Sequence, residues 1–328
     1  MKRKFLVLAL ASLLVAPLFA NGTNETKTAS TTSTDSWPSQ TINIVVPFSA
    51  GGNSDYNTRT IAKYLEKELG QSIVVTNVSG SGGTIGASQV LTAKPDGNTI
   101  LCTQLSMNMA QVTGMVDYGY ADFGGACVFS RSADEVLVVS ADSAWDTFDE
   151  FVADAKAHPG KVKLAANTGA STQWIAVAML NAGIPLNVVS SGGSGERLQL
   201  VLGHHVDMVP LPITMVADYV TNGELKILAT DSPERGESIP EVPTLLEKGV
   251  DCGYYYNNTF MFPKGTPETI VNKFANACQN VIENNAEYQA EVIKYKQVPT
   301  YMTPADTQES YKVQLAALME IKDQLIGN

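Results

Sequence analysis

Two short runs rich in glycine and serine carry the residues that could do chemistry in this chain. The first follows an apolar strand that we predict from Ile42 to Phe48, and the second follows a strand from Ile73 to Thr76. Each run leads directly into a predicted helix, so its backbone N–H groups point outward at the positive end of a helix dipole. Because the side chains there are small, the sequence predicts a site that holds an anion.

The composition of the two runs narrows the kind of anion. They carry hydroxyl and amide side chains at Ser49, Asn53, Ser81 and Thr84, but no lysine or arginine. The glycine spacing departs from the dinucleotide fingerprint, because Ile85 stands where the last glycine should be, and no Walker-type Gly-Lys-Ser/Thr occurs. Neutral donors suit a carboxylate that must be released again.

Catalytic and metal chemistry have little support in the sequence. There is no Gly-x-Ser-x-Gly elbow, and the three histidines (His158, His204 and His205) lie away from the glycine runs, so a secreted hydrolase would lack a triad. The four cysteines have no C-x-x-C spacing, and we expect no catalytic residue, metal or cofactor. Export would allow one or two disulfides, whereas a buried free thiol is the alternative for Cys278.

The N-terminus has the pattern of a cleaved secretory signal. Basic residues precede an apolar stretch from Phe5 to Phe19 that ends in Ala20, which is shorter than the roughly 20 residues of a membrane-spanning helix. We expect a signal peptide over residues 1–20, a disordered polar spacer over residues 21–36, and a periplasmic location.

Charge and length limit the partners and the architecture. Without the signal peptide the chain has 22 − 3 = 19 basic and 33 acidic residues, a net charge of −14, which argues against nucleic acid as a partner. About 290 remaining residues exceed one typical domain and indicate two lobes.

A second series of strands and helices repeats the first. It opens with a capping box at Thr147 and Glu150, and two of its strands run into small polar turns at 167–172 and 190–195. The chain is expected to cross between lobes near Val139 and again near Thr259. We therefore predict lobe 1 over residues 37–139 plus 259–328 and lobe 2 over residues 140–258, with a hinge and a cleft between them.

Four further local predictions can be compared with the structure. The segment from Ser106 to Gly125 is expected to be irregular, and Pro240 to Thr244 should open a helix. A long helix should start at Thr266-Pro267, with proline in its first position. An amphipathic helix from Ala305 to about Leu325 should finish the chain.

A set of ordered motifs over most of the mature chain resembles one family. The chain is similar to the Bug-type (TctC-like) extracytoplasmic solute receptors of the tripartite tricarboxylate transporter family. The matching pieces are Trp37-Pro38-Ser39, Pro47-Phe48…Gly51-Gly52…Asp55, Gly80…Gly82-Gly83…Gly86, Pro95-Asp96-Gly97-Asn98-Thr99, His158-Pro159-Gly160-Lys161, Gly203…Val206-Asp207, Pro240-Glu241-Val242-Pro243-Thr244 and Pro263-Lys264-Gly265-Thr266-Pro267.

The resemblance implies a fold and a function. It implies an α/β, two-lobed periplasmic binding protein of type II, with a ligand cleft between the lobes and no enzymatic activity. Such a receptor is expected to be a monomer that closes on a small organic acid and delivers it to the large and small membrane subunits of a permease. A receptor that signals to a membrane sensor would use the same closing motion.

The resemblance also implies which residues contact the ligand, partly through bridging waters. Carried over to this chain, they are Ser49, Ala50, Gly51, Gly52, Asn53, Asp55, Gly83, Thr84, Ser171, Thr172, Ser191 and Gly192.

The chain departs from the family pattern in two places, and the role of Asp55 is open. The family often has Tyr-Lys or Tyr-Arg where this chain has Ser190-Ser191, and histidine where it has Trp174, so citrate is not assumed to be the ligand. Asp55 has two open interpretations: Ser54 or Asp55 could cap the first helix, or Asp55 could contact the ligand, where it would favour an amino or hydroxyl group.

Overall fold

The computed structural model describes residues 36–131, 135–167, 170–236, 238–295 and 297–326. The expected signal peptide and nearly all of the expected spacer lie outside the described residues. The remainder belongs to one compact unit, Thr34–Asn328. Among the residues described, no helix is long and apolar enough to cross a membrane.

The described residues form strands and helices that alternate over most of the chain. The strands are β1 (Ile42–Val46), β2 (Ile73–Asn77), β3 (Thr99–Thr103), β4 (Phe123–Arg131), β5 (Glu135–Ser140), β6 (Lys163–Ala166), β7 (Asn187–Ser190), β8 (Met208–Pro212), β9 (Leu225–Thr230) and β10 (Asn257–Pro263). The helices are α1 (Asn53–Leu69), α2 (Thr84–Leu91), α3 (Ser106–Val112), α4 (Phe148–Ala157), α5 (Ser171–Asn181), α6 (Ser194–Leu202), α7 (Ile213–Thr221), α8 (Glu268–Asn284), α9 (Ala286–Lys294), α10 (Pro304–Glu320) and α11 (Lys322–Ile326).

Two five-stranded sheets share the same pattern of pairing. The first has the order β2-β1-β3-β10-β4 and the second has the order β7-β6-β8-β5-β9. In each sheet the first three strands are parallel and the fourth runs antiparallel to its neighbours. That fourth strand is the one on which the chain arrives from the other sheet. The predicted α/β class with two lobes is confirmed.

The position of the first crossing differs from the prediction. β5 pairs with β8 and β9 in the second sheet, so the chain leaves the first sheet at Arg131 and enters the second at Glu135, not after Val139. An apolar strand has the same appearance in either sheet, because its pairing partners are distant in sequence. We therefore propose a lobe boundary between residues 131 and 135, with the return at about Asn257.

Apolar side chains fix each sheet against its helices. In the first sheet, Ile61 and Leu65 of α1 and Phe274 of α8 are completely buried, and the ring of Phe260 stacks on that of Phe129 at 3.9 Å. Alternate residues of β5 face two different cores, as the period of a strand requires. Each fully buried Leu, Ile or Phe contributes about 1.5–3 kcal/mol, which holds the strand ends in place.

Several local predictions are confirmed and others are wrong. Gly70 ends α1 in the left-handed conformation, and Thr147 and Glu150 form the predicted capping box of α4. The segment expected to be irregular contains α3, whose Met107 and Met109 are buried. Tertiary packing there overrides a weak local pattern.

Three segments near the C-terminal half also differ from expectation. Residues 240–244 form turns and a bridge between Thr244 and Thr230, not the start of a helix. Pro267 precedes α8 as its N-cap and is not its first helical residue. The last helix is interrupted at Ile321, where α10 ends before α11 begins.

The four cysteines are buried free thiols. Burial raises the pKa of the Cys102 thiol to about 12. Burial and the neighbouring Cys127 raise the pKa of the Cys278 thiol well above its ordinary value. In the part of the chain that the structure describes, no group of three or more His, Cys, Asp or Glu side chains is arranged to hold a metal ion.

Candidate functional site

The first glycine-rich run forms a tight, exposed loop at the carboxyl end of β1. The N–H of Gly52 donates to the carbonyl of Ser49 at 3.3 Å, and Gly51 adopts φ +78°, which favours glycine. α1 then begins at Asn53 with Gly52 as its N-cap. The expectation that Ser54 caps this helix is wrong, because no side chain caps it among the described residues. The N–H groups of the first turn remain open to an external acceptor.

Asp55 supports this loop from beneath and does not cap the helix. Its buried carboxylate accepts hydrogen bonds from the N–H of Gly51 at 2.8 Å, Nε of Arg59 at 2.9 Å and Nδ2 of Asn77 at 2.9 Å. Asn77 also donates to the carbonyl of Phe48 at 3.0 Å, which ties the loop to the end of β2. The carboxylate therefore shapes the loop, and one predicted ligand donor, the Gly51 N–H, is already occupied.

The sequence contains a signal that Asp55 supports the loop and does not cap the helix. Arg59 lies four residues after Asp55, a spacing that places the two side chains together on one helix face. About half of the Arg59 side chain is exposed, whereas the Asp55 side chain is almost completely buried.

The second glycine-rich run forms a compact turn at the carboxyl end of β2. The N–H of Gly83 donates to the carbonyl of Gly80 at 2.9 Å, and the hydroxyl of Thr84 donates to the carbonyl of Ser81 at 2.9 Å. Gly83 is buried, with φ +99°, and a Cβ on it would meet the ring of Phe48 at 3.3 Å. Glycine at this position therefore leaves room for Phe48 to pack closely against the turn. α2 begins at the next residue.

The two first-sheet loops are in direct contact. A Cβ on Gly86 would lie 2.9 Å from Cβ of Pro47, so only glycine allows α2 to approach the first loop this closely. A cavity of about 10 Å³ lies between them, lined among others by Pro47, Thr84, Thr103 and Ser106. This is room for about one water, with hydroxyl groups to hold it.

In the second sheet, the hydroxyl group of Thr172 holds the loop after β6 in place. The buried Oγ1 of Thr172 accepts a hydrogen bond from the N–H of Asn167 at 2.8 Å, so this predicted ligand contact is used within the loop. α5 begins at Ser171 with Ala170 as its N-cap, and no side-chain cap is present among the described residues. Residues 168 and 169 lie outside the description.

The loop after β7 packs against the loop after β6. The N–H of Ser191 donates to the carbonyl of Ala166 at 2.9 Å, and the Ser191 hydroxyl is buried without a hydrogen-bond partner in the described part of the chain. The N–H of Gly192 donates to Oε2 of Glu196 at 3.1 Å. A second predicted ligand donor is thus occupied by a carboxylate of the protein itself. α6 begins just beyond, with Gly193 as its N-cap.

A buried arginine lies beneath this loop. Arg197 donates from Nη1 to the carbonyl of Gly192 at 3.1 Å and from Nη2 to Oγ of Ser194 at 3.0 Å. Its Nε donates to the carbonyl of Pro210 at 3.0 Å, and its Nη2 lies 3.3 Å from Oε1 of Glu135. Glu135 is the first residue of β5, where the chain enters the second sheet. Sequence reasoning missed this pair, because the two residues are 62 positions apart.

A row of buried tyrosines connects the loop after β6 to the return crossing. The Tyr254 hydroxyl donates to the carbonyl of Ser171 at 3.2 Å and lies 2.6 Å from the Tyr256 hydroxyl, which donates to Oδ2 of Asp231 at 2.8 Å. Burial, and then the charge of Asp231, raise the pKa of both tyrosines well above the ordinary value. The indole of Trp174 stacks on the ring of Tyr254 with centroids 4.5 Å apart.

All twelve predicted site residues therefore lie in loops, or in the first turns of helices, at the carboxyl ends of parallel strands. Such loops form the ligand crevice of open α/β sheets. In both sheets the antiparallel fourth strand is the one that follows a crossing, and each sheet carries a pair of small polar loops. This arrangement defines the class of two-lobed periplasmic binding proteins.

The chain belongs to the tripartite tricarboxylate transporter family of receptors (TctC), whose sequence pattern matches residues 58–320. The protein BugT of Bordetella pertussis (strain Tohama I) is 32% identical over 254 residues, which cover 74% of this chain and 76% of BugT. Because the family consists of transporter receptors, the chain is a solute-binding receptor, not an enzyme.

Solved structures show the same fold. The periplasmic binding protein BugD superposes with a TM-score of 0.76 at 25% identity, covering 88% of this chain and 98% of BugD. MatC of Rhodopseudomonas palustris, solved with bound malate, superposes with a TM-score of 0.76 at 23% identity, covering 87% of this chain and 99% of MatC.

Proposed function

We propose that this protein captures a small carboxylate between its two pairs of loops in the periplasm and delivers it to a tripartite tricarboxylate-type permease. Family membership supports capture of a solute, and MatC, which has the same fold, holds a dicarboxylate. The proposal places the ligand against the loops that follow β1, β2, β6 and β7.

One observation carries the proposal: the helices that start at these loops lack side-chain caps. α1, α2, α5 and α6 start after glycine or alanine, and no side chain of the described residues accepts from their first turns; their N-cap residues are Gly52, Gly83, Ala170 and Gly193. By contrast, α4, α9 and α10 are capped by the side chains of Thr147, Asn285 and Thr303. α3, α7 and α8 also lack a side-chain cap in the described part of the chain, but they follow the bulkier residues Leu105, Pro212 and Pro267. An uncapped start directly after a glycine or alanine is therefore what distinguishes the helices at the loops. Uncapped N–H groups at the positive end of a helix dipole suit a carboxylate.

The energetics are compatible with neutral donors. A hydrogen bond to a charged group contributes roughly 1.5–3 kcal/mol, so four give about 6–12 kcal/mol before the costs of ordering the ligand and closing the lobes. Micromolar affinity corresponds to about −8 kcal/mol. No basic side chain has to touch the ligand.

Since Asp55 and Glu196 occupy the N–H groups of Gly51 and Gly192, we propose that the first residues of the helices supply the main donors. Asn53 is the first residue of α1 and Ser171 is the first residue of α5.

A proline at the first helical position tests this directly. Proline is tolerated there and removes a single N–H, and Gly52 before it already has the extended conformation that proline requires. We expect Asn53→Pro to weaken carboxylate binding by about 1.5–3 kcal/mol relative to Asn53→Ala, measured by calorimetric titration. Asn53→Ala is the matched control, because it removes only the side chain that bonds Asn57.

Screening by thermal shift supplies the ligand for this titration. A carboxylate at a hundred times its dissociation constant should add about 2.7 kcal/mol of stability. If no mono-, di- or tricarboxylate shifts the transition, or if Asn53→Pro and Asn53→Ala bind equally well, the proposed site is wrong. Delivery is tested separately, by uptake of the labelled acid into cells that contain the permease subunits with wild-type or Asn53→Pro receptor.

A further inference from the structure

The carboxylates beside the loops of the two lobes differ in burial and in charge compensation. Asp55 is buried and is bonded by Arg59 and Asn77, so its charge is compensated. Glu196 is exposed, its carboxylate accepts from the N–H of Gly192, and no cation pairs with it among the described residues. The second lobe therefore presents a negative charge at the place where its loop would otherwise hold an anion.

The neighbouring arginine does not offset this charge. The guanidinium of Arg197 is buried, and its bonds go to two carbonyl groups, to Ser194 and to Glu135. Ser190 and Ser191 add no charge to the loop. A second carboxylate of a ligand would therefore meet Glu196 without a compensating cation, and like charges at short range repel.

We propose that Glu196 determines the class of ligand: a small acid with one carboxylate on the first-lobe loops and an ammonium or hydroxyl group at its other end, facing Glu196. This inference rests on the proposed function and sharpens it. An ammonium group gains a charge-assisted hydrogen bond from Glu196, a hydroxyl group gains a weaker one, and a carboxylate has to displace Glu196 from Gly192.

The test uses acids of the same chain length that differ only at one end. Each length is made as a dicarboxylate, an ω-hydroxy acid and an ω-amino acid, and the dissociation constants are measured by calorimetric titration. We expect wild-type protein to bind the best amino acid about tenfold or more tighter than the matching dicarboxylate, which is the effect of one hydrogen bond to a charged group. Glu196→Gln keeps an oxygen that can accept from Gly192, so the loop retains its shape. It should remove this preference, mainly by improving dicarboxylate binding about tenfold.

Glu224→Gln is the matched control. It removes the same charge at an exposed position between α7 and β9, and it should leave the preference unchanged. If acids bind but wild-type protein prefers the dicarboxylate, or if Glu196→Gln leaves the ranking as it was, the inference about Glu196 is overturned while the receptor function stands. If no acid in the series or in the wider carboxylate screen binds either protein, the proposed function fails and this inference fails with it.

Discussion

The loop after β1 and the loop after β7 are each held by an arginine and a carboxylate, but the two pairs differ in burial and in origin. Arg59 and Asp55 lie four residues apart on α1, and Arg59 is half exposed. Arg197 and Glu135 come from α6 and from the start of β5, and both side chains are more than 90% buried. The first loop is therefore held by residues of α1 and by Asn77 at the end of the neighbouring strand β2, all within the first lobe. The second loop is shaped by the segment through which the chain enters the lobe.

The links between the loops and the crossings also differ between the lobes. In the first lobe the link to the crossings is neutral: Nε2 of Gln104 donates to Ser54 and to Asn258, and Asn258 donates to Ser130. In the second lobe the corresponding link runs through the charges of Arg197 and Glu135. A buried charge is expensive once its partner is lost, so the second lobe should tolerate fewer changes in this link than the first.

The largest expected effect comes from breaking the two arginine contacts in parallel. Arg197→Met leaves Glu135 buried without its partner and should lower the free energy of unfolding by about 3–5 kcal/mol. Arg59→Met removes a half-exposed cation, and the buried carboxylate of Asp55 keeps the N–H of Gly51 and the amide of Asn77 as donors, so the cost should be smaller, about 1–2 kcal/mol. Urea denaturation of the two variants measures both values.

A double variant separates the pair from the packing of the arginine stem. Arg197→Met combined with Glu135→Gln should cost clearly less than the sum of the two single changes, because the unpaired charge is gone. Equal costs for Arg197→Met and Arg59→Met would contradict the contrast between the loops.

Alkaline pH should weaken the second lobe through its tyrosines. Burial and Asp231 raise the pKa of Tyr256 well above its ordinary value of 10.0. The unfolded chain therefore ionises first: the contribution of Tyr256 is complete below pH 10 and is lost as the pH rises above it. One such group contributes a slope of up to about 1.4 kcal/mol per pH unit.

Two variants test whether Tyr256 causes this fall in stability with pH. Tyr256→Phe should lose the bond to the carboxylate of Asp231, at about 1.5–3 kcal/mol, and should show a shallower fall in stability above pH 10. Tyr255→Phe removes a partly exposed phenol one residue away and should keep the wild-type slope. Denaturation curves at several alkaline pH values give both slopes, and identical slopes would remove Tyr256 as the cause.

The contrast between the loops also shows what the sequence could and could not predict. The glycine runs, the strands before them and the end of α1 at Gly70 depend on local patterns, and each appears where it was predicted. The sheet to which β5 belongs depends on distant partners, so the crossing was misplaced. α3 has no clear helical periodicity and forms because its methionines pack into the core.

Within the candidate site, the local sequence pattern predicted the loops. It did not predict which side chains accept hydrogen bonds from the N–H groups of these loops. The pairing of Asp55 with Arg59 was readable from their spacing, whereas the contact of Arg197 with Glu135 required the fold. The predicted ligand contacts themselves remain predictions. What the structure adds is that Thr172 and the N–H groups of Gly51 and Gly192 already have partners inside the protein.

The smallest expected change in stability is also the most informative about the open helix ends. Gly52→Ser should supply α1 with the side-chain cap that it lacks. The backbone conformation of Gly52, φ −79° and ψ 173°, is open to serine, but the added Cβ would lie 3.2 Å from the carbonyl oxygen of Ser49, so the loop has to shift slightly. We expect stability to change by no more than a few tenths of a kcal/mol while carboxylate affinity falls, because the serine oxygen accepts from the N–H of Ser54 or Asp55, next to the proposed donor of Asn53. Thr147→Gly makes the opposite change at α4, which does not start at one of these loops, and should cost a few tenths of a kcal/mol without altering affinity. Calorimetric titration and urea denaturation of both variants measure the two effects. Unchanged affinity in Gly52→Ser would mean that the N–H groups of Ser54 and Asp55 do not hold the ligand.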